Sequence, residues 1–308
     1  MTQLYTVNQE AAARLEASGV APVMLYAFDG FIDSGIVAGL AIGDLIDRPQ
    51  TIRLVSFNAD ELVDYRSRRP PMTLGEDGWS DFQEPSLGID LVYDAAGSPF
   101  LLMYGPEPDM RWDAFTDAVS DLVETFDVRL ALGIHGIPAA SPHTRTWPVT
   151  ATDDCKTLVA KAAGSSADRI QFPSSVMAWT EVKLREIGRD ARTLVVHVPH
   201  YLVQVPSPMG TLELMRAVSQ STGLEFDLAS IAEAADVQRQ ELDQQIAARP
   251  ELAAAIAKLE DRQDASSLAA PGGELPSRPL PTGDEIAAEF ERYLAAQNET
   301  GEDSAFTG

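Results

Sequence analysis

Through the first 225 residues, short apolar runs alternate with stretches whose apolar positions recur at helical spacing, and each change of period predicts a new element. Val23–Phe28 is an apolar run of strand length, and Asp29-Gly-Phe-Ile-Asp-Ser-Gly35 leads from it into the helical spacing of Ile36–Ile46. Asp33 or Ser34 is placed to cap that helix. Ile52–Phe57 reads as the next strand. Ile89–Tyr93 and Phe100–Tyr104 flank Asp94-Ala-Ala-Gly-Ser-Pro99, the pattern of a hairpin with a longer loop. In Trp112–Phe126 the residues Phe115, Val119, Leu122 and Phe126 fall on one side of a helix. Val128–Ile134 and Thr193–Val198 read as buried strands, with a helix at Ser174–Arg189 between them. Repeated strand–helix alternation predicts an α/β fold: three layers, α/β/α, around a mostly parallel sheet.

The pattern changes after Leu224. Ser230-Ile-Ala-Glu233 is a capping-box sequence ahead of a helix to about Ala248, striped by Ile231, Ala235, Leu242 and Ile246. Pro250 opens a second helix striped by Leu252, Ile256 and Leu259. The expected organisation is an α/β core over 1–225, an acidic helical hairpin over 226–262, a Pro/Gly/Ser linker over 263–282, a docking helix over 283–297 and a disordered tail over 298–308. The docking helix is read from a second capping box, Thr282-Gly-Asp-Glu285, followed by Ile286, Phe290 and Leu294.

Charge sharpens this division. The 308 residues hold 47 acidic and 23 basic side chains, a formal net charge of −24. Residues 225–308 carry 18 acidic and 6 basic ones, a net of −12, so half the excess sits in about a quarter of the chain. So acidic a protein repels a phosphate backbone and an anionic membrane surface, and neither is an expected partner. No apolar run approaches the roughly 18 residues of a membrane span. The first residues lack the basic and apolar regions of a signal peptide, and the single cysteine, Cys155, suits a reducing compartment, so a cytoplasmic protein is expected.

Chemical motifs are scarce. The sequence has no Gly-x-Gly-x-x-Gly, P-loop, His-Glu-x-x-His or Gly-x-Ser-x-Gly, and one cysteine rules out paired-cysteine zinc sites. No metal or cofactor is expected. His197-Val-Pro-His200 is an extended pair split by proline, better read as strand-end imidazoles held by hydrogen bonds than as ligands. A Ser–His–Asp site assembled from distant segments stays open. Polar residues do gather at predicted strand ends, where open α/β sheets bind ligands. Asp29 and Asp33 follow the first strand. Val63–Pro70 holds Arg66, Arg68 and Arg69; Gly105–Trp112 holds Glu107; Pro142-His-Thr-Arg145 holds His143 and Arg145. Arginine pairing with these carboxylates would knit the loops together or line a cleft for a small anion. As a candidate cleft the set is Asp29, Asp33, Arg66, Arg69, Glu107, His143 and Arg145, with His143 the one acid–base candidate.

The same blocks carry a family resemblance. Phe28-Asp-Gly-Phe-Ile-Asp-Ser-Gly35, Asp64-Tyr-Arg66 with Arg69-Pro70, Gly105-Pro-Glu-Pro108 with Trp112, Pro142-His-Thr-Arg145, Val198-Pro-His-Tyr-Leu-Val203 and Ser207-Pro208 resemble, in order and spacing, the proteasome assembly chaperone family of the chaperone 2 type, actinobacterial members above all. The resemblance covers about residues 20–260. Asp33 matches the Asp of the family's first block, and Phe31 stands where a Trp is more usual. It implies an α/β/α core similar to the phosphorylase/hydrolase-like fold, a homo-oligomer (trimers among the options) and a role in binding or assembling other proteins, proteasome subunits included. Relatives that dock on the proteasome α-ring often end in hydrophobic–Tyr–any residue. This sequence ends Ser304-Ala-Phe-Thr-Gly308, and docking through that end is not expected.

Two functions of different class follow. The first is a non-enzymatic interaction or assembly-chaperone-like protein whose acidic helices meet a basic protein surface. The alternative is a small-molecule binder or enzyme of unknown reaction using the strand-end cleft, a reading that rests on fold analogy. An ATP-dependent carboxylate–amine ligase is the least favoured, because Lys156, Lys161, Lys183 and Lys258 all lie outside any Gly-rich phosphate loop.

Overall fold

In the computed structural model, residues 4–30, 32–153 and 171–268 are described. The first half of the chain supplies β1 (Tyr5–Val7), α1 (Gln9–Ser18), β2 (Val23–Asp29), α2 (Val37–Ile46), β3 (Ile52–Phe57), β4 (Thr73–Gly75), β5 (Gly78–Ser80), β6 (Gly88–Tyr93) and β7 (Pro99–Pro106). There follow α3 (Trp112–Thr125), β8 (Leu130–Ala139), β9 (Val149–Ala151), α4 (Val176–Glu186), β10 (Ala191–Pro199), α5 (Pro208–Thr222), α6 (Ala229–Ala247) and α7 (Pro250–Leu268).

Eight strands form one sheet in the order β1-β3-β6-β7-β2-β8-β10-β9. The central neighbours β7, β2, β8 and β10 are parallel, and the outer pairs are antiparallel. Followed across the sheet, β3, β7, β2, β8 and β10 point one way and β1, β6 and β9 the other. The sheet is therefore mixed and mostly parallel, with helices on both faces. Strand alternation sorts the core: on β2, Met24 and Tyr26 face the layer of α1, α3 and α4, while Val23, Leu25 and Ala27 face that of α2, α5 and α6. β4 and β5 stand apart as a two-stranded hairpin, with Leu74 opposite Trp79.

The C-terminal helices differ from their sequence pattern in three respects. The Ser230–Glu233 capping box is not used. α6 starts at Ala229, whose N–H donates to Asp227 Oδ1 at 3.1 Å. Phe226 and Leu228 pack into the core, Phe226 edge-on to Phe100, and so fix the chain's entry two residues earlier. Second, the two stripes are not equally covered. Ala235 is buried, and Ile231 and Leu242 pack on the core; in α7 no described side chain is buried and Leu252 is 41% exposed. Third, α7 runs to Leu268 through residues 263–268, read as linker, because neither Pro nor Gly interrupts the chain between Pro250 and Pro271. By internal contacts, one unit spans Met1–Ala265 and a second Ser266–Gly308. The rest of the expected linker, the docking helix, the tail and Phe31 lie outside the described residues.

Candidate functional site

The strand ends bring the candidate residues together in two separate groups. In the first, Asp29 ends β2 and Glu107 follows β7, its parallel neighbour, with Glu107 N–H donating to the Asp29 carbonyl at 2.8 Å. Over this pair lies Arg68. Its guanidinium donates to the carbonyls of Asp29 (3.1 Å) and Glu107 (2.8 Å) and to Asp109 Oδ1 (2.8 Å). The approach needs Gly30, where φ is +137° and a Cβ would sit 3.1 Å from Arg68 Nη2. The Glu107 carboxylate turns away to accept the Val176 N–H at the start of α4, 2.7 Å. Arg66 and Arg69 are exposed, and among the described residues neither has an acidic partner within ion-pair distance.

Asp33 is committed to backbone. Its oxygens accept from Ala38 and Gly39 at the start of α2 and from Gly136 of β8, all at 3.0–3.1 Å. The expected cap is therefore made, from further back than a normal cap position, because Gly35 (φ +71°) and Ile36 (φ +50°) turn the chain through the left-handed region first. Burial pushes the Asp33 carboxyl above its ordinary value, although the three N–H groups favour the ion. Asp29 is raised too, by partial burial and then by the Asp33 charge, with Arg68 opposing. The loop also closes the crevice between β2 and β8. Gly35 exchanges hydrogen bonds with Val203 and Ser207, His135 Nδ1 meets the Ile32 carbonyl at 3.3 Å, and a Cβ at Gly136 would lie 2.4 Å from the Ser34 carbonyl. Burial lowers the pKa of His135.

The second group sits on the loop after β8. The His143 side chain is fully buried. Its Nδ1 and its backbone N–H both meet Tyr201 Oη, at 2.9 and 2.7 Å, and its Nε2 lies 3.3 Å from Asp243 of α6. Burial pushes the Tyr201 hydroxyl up to about 12. Arg145 clasps α7 through Glu260 (3.2 Å) and Asp264 (3.1 and 2.9 Å). The Arg145 hydrogen bond holds the Asp264 carboxyl below its ordinary value. No hydrogen bond or ion pair among the described residues joins the two groups. Among the described residues, too, no three His, Cys, Asp or Glu side chains are poised for a metal, and no helix is long and apolar enough to cross a membrane. A cavity of about 140 Å³ lies at the opposite end of the sheet, lined by Val20, Asp94, Arg129 and Thr222 among others. Its polar groups are engaged: Asp94 accepts from Ala96, Ser98 and Glu225, and Arg129 donates to the Thr222 carbonyl.

Sequence reasoning passed over Arg68 in favour of its neighbours, and missed Asp109, Tyr201 and Asp243. Arg68 carried a usable signal, since Gly30 is a position where a guanidinium can press on bare backbone. Nothing in the local pattern distinguishes Asp243 from the other acids of α6. His197 is a strand-end imidazole as expected, its Nε2 3.0 Å from Thr150 Oγ1.

A family model, that of the PAC2 family, matches residues 27–246, from the end of β2 through α6. The chain belongs to the PAC2 family. Among solved structures, this PAC2 chain is similar to a Corynebacterium glutamicum protein of unknown function: 30% identity over 86% of this chain and 98% of that one, TM-score 0.77. A Mycobacterium tuberculosis protein of unknown function is 33% identical over 96% of this chain and 93% of its own, TM-score 0.76. A Mycobacterium tuberculosis proteasome-assembly chaperone homologue is 27% identical over 76% and 99%, TM-score 0.65. No curated protein matches the chain.

Proposed function

We propose that this PAC2 chain is a non-enzymatic, assembly-chaperone-like protein of the cytoplasm that binds other proteins, a proteasome component among them, and acts as a homo-oligomer. One observation carries the reading: Asp33, Glu107, His143 and Arg145 of the strand-end set, with Arg68 beside them, are used internally, and of the arginines in that set only Arg66 and Arg69 stay exposed. Arg68 joins three loops, Asp33 holds a helix start against β8, Glu107 caps α4, and His143 and Arg145 hold the C-terminal helices. A reactive cleft needs such groups available to a ligand. The likeness to the mycobacterial proteasome-assembly chaperone homologue supports the same reading. The exposed faces of α6 and α7, with Glu233, Asp236, Glu251 and Asp261, suit a basic protein surface.

The test is binding of the full chain to the purified proteasome subunits of its own host. Removing residues 226–308 would also remove Ala235 and its neighbours from the core, so the informative variant is Glu233→Gln/Asp236→Asn/Glu251→Gln/Asp261→Asn. We expect the wild type to retain a subunit at moderate ionic strength and the variant to lose it. Should the wild type retain none, the proteasome reading falls.

A further inference from the structure

The loop after β8 grips the C-terminal helices residue by residue. His143 meets Asp243 of α6 at 3.3 Å. The next three residues meet α7: Thr144 Oγ1 donates to Glu260, Arg145 pairs with Glu260 and Asp264, and the Thr146 carbonyl accepts from Gln263 Nε2 at 3.4 Å. Glu260, Gln263 and Asp264 lie on one helix face, because positions three and four apart stack along an α-helix.

The two helices are held differently. α6 buries Ala235 and sets Ile231 and Leu242 into the core. No described side chain of α7 is buried. Among the described residues, the contacts that tie α7 to the loop are polar and partly exposed, and such pairs contribute little each, while Ile256 and Leu259 of its apolar stripe are only half-buried. The loop, in contrast, is anchored without α7. On one side His143 is fixed by two contacts to Tyr201 Oη. On the other, Trp147 is 2% exposed and packed so closely on α5 that a Cβ at Gly210 would lie 3.0 Å from it. Thr144 and Arg145 sit between these anchors, so their donors keep their direction when α7 departs.

We propose that residues 144–146 are an acceptor site for an acidic helix, that α7 occupies it in cis as an autoinhibitory contact, and that a partner's acidic helix takes the same place when α7 swings out at Arg249-Pro250. The ligand is defined by its chemistry: a helix with two carboxylates four residues apart and an amide donor between them. The matched family span ends at Ile246, so it contains the acceptor loop and stops short of α7. The site does not depend on the partner being a proteasome subunit.

Two measurements on the full chain test it. Hydrogen exchange of the α7 amides, 251–264, should be faster than that of α5, and Arg145→Ala should speed it by roughly two- to tenfold, the range of two exposed ion pairs, without altering α5. A fluorescein-labelled peptide of residues 250–268 should bind Glu260→Ala/Asp264→Ala, whose cis occupant is weakened, at least about threefold more tightly than the wild type. Adding Arg145→Ala to that variant should abolish the gain. α7 exchange as slow as α5 and unmoved by Arg145→Ala overturns the proposal, as does equal peptide binding by all three proteins. Wild-type dimers that separate on Arg145→Ala would also overturn it, since the loop would then hold α7 of a second copy.

Discussion

Arg66, Arg68 and Arg69 lie within four residues of one loop, yet they have different physical roles. Arg68 satisfies two strand-end carbonyls and a carboxylate, and the other two point to solvent. Arg68→Ala should therefore lower the unfolding free energy by about 1–2 kcal/mol, while Arg66→Ala and Arg69→Ala stay within about 0.5 kcal/mol of the wild type in urea titrations. Asp33 is the stronger case. Asp33→Ala leaves three N–H groups on two elements, those of buried Ala38 and Gly136 and half-buried Gly39, without this acceptor, at a cost of about 2–3 kcal/mol. Its pH dependence has a definite sign. A carboxyl whose folded pKa lies above its unfolded value of 3.8 binds its proton more tightly in the native state, so its contribution falls as pH rises through the folded pKa. The gap between the wild type and Asp33→Ala should then be wider near pH 4 than at pH 7. A gap that narrows on acidification would mean that the N–H groups outweigh burial. The sequence pointed to Asp33 as a cap because Asp ahead of a helical stripe has few other uses. It could not tell Arg68 from its neighbours, because the choice is made by the bare backbone of a glycine 38 positions away.

Among elements, those with a strong internal pattern were legible and those created by pairing were not. β3 coincides with its apolar run, and β6 and β7 flank the expected loop. α1 buries only Ala11 and Leu15, a weak stripe, and β1 and β9 are three residues each. β1 exists because β3 offers it an edge, and β9 because β10 does. The antiparallel part of the sheet comes from these two edge strands, which local periodicity cannot supply, and from β6, whose hairpin with β7 the turn sequence did indicate. The start of α2 is a place where sequence and fold conflict. Ile36 is β-branched, 45% exposed and held at φ +50°. A left-handed conformation costs a non-glycine residue about 1–2 kcal/mol, and glycine gives back part of that through its freer unfolded chain. Ile36→Gly should therefore raise stability by about 0.5–1 kcal/mol, read as a higher urea midpoint at unchanged slope. A lower midpoint would mean that the isoleucine packs more favourably than its exposure implies.

For the whole molecule, the charge excess and the polar clamp respond to salt in opposite directions. A net charge of −24 destabilises the compact state through self-repulsion, summed over distances that exceed the screening length of about 10 Å at 0.1 M salt. Raising sodium chloride from 0.05 to about 0.5 M should therefore hold or raise the midpoint of thermal unfolding. Within the same molecule, α7 depends on Arg145 facing Glu260 and Asp264 at the surface, an attraction that salt weakens. Over the same range, exchange of the α7 amides should quicken while the core amides keep or gain protection. The opposite signs identify the cause. Uniform loosening would mean that salt acts on the fold as a whole, and uniform tightening would mean that α7 is held by apolar contact and not by its ion pairs. The contrast also separates the two components of the acidic character: α6 belongs to the folded body and should follow the core, and α7 should follow the clamp.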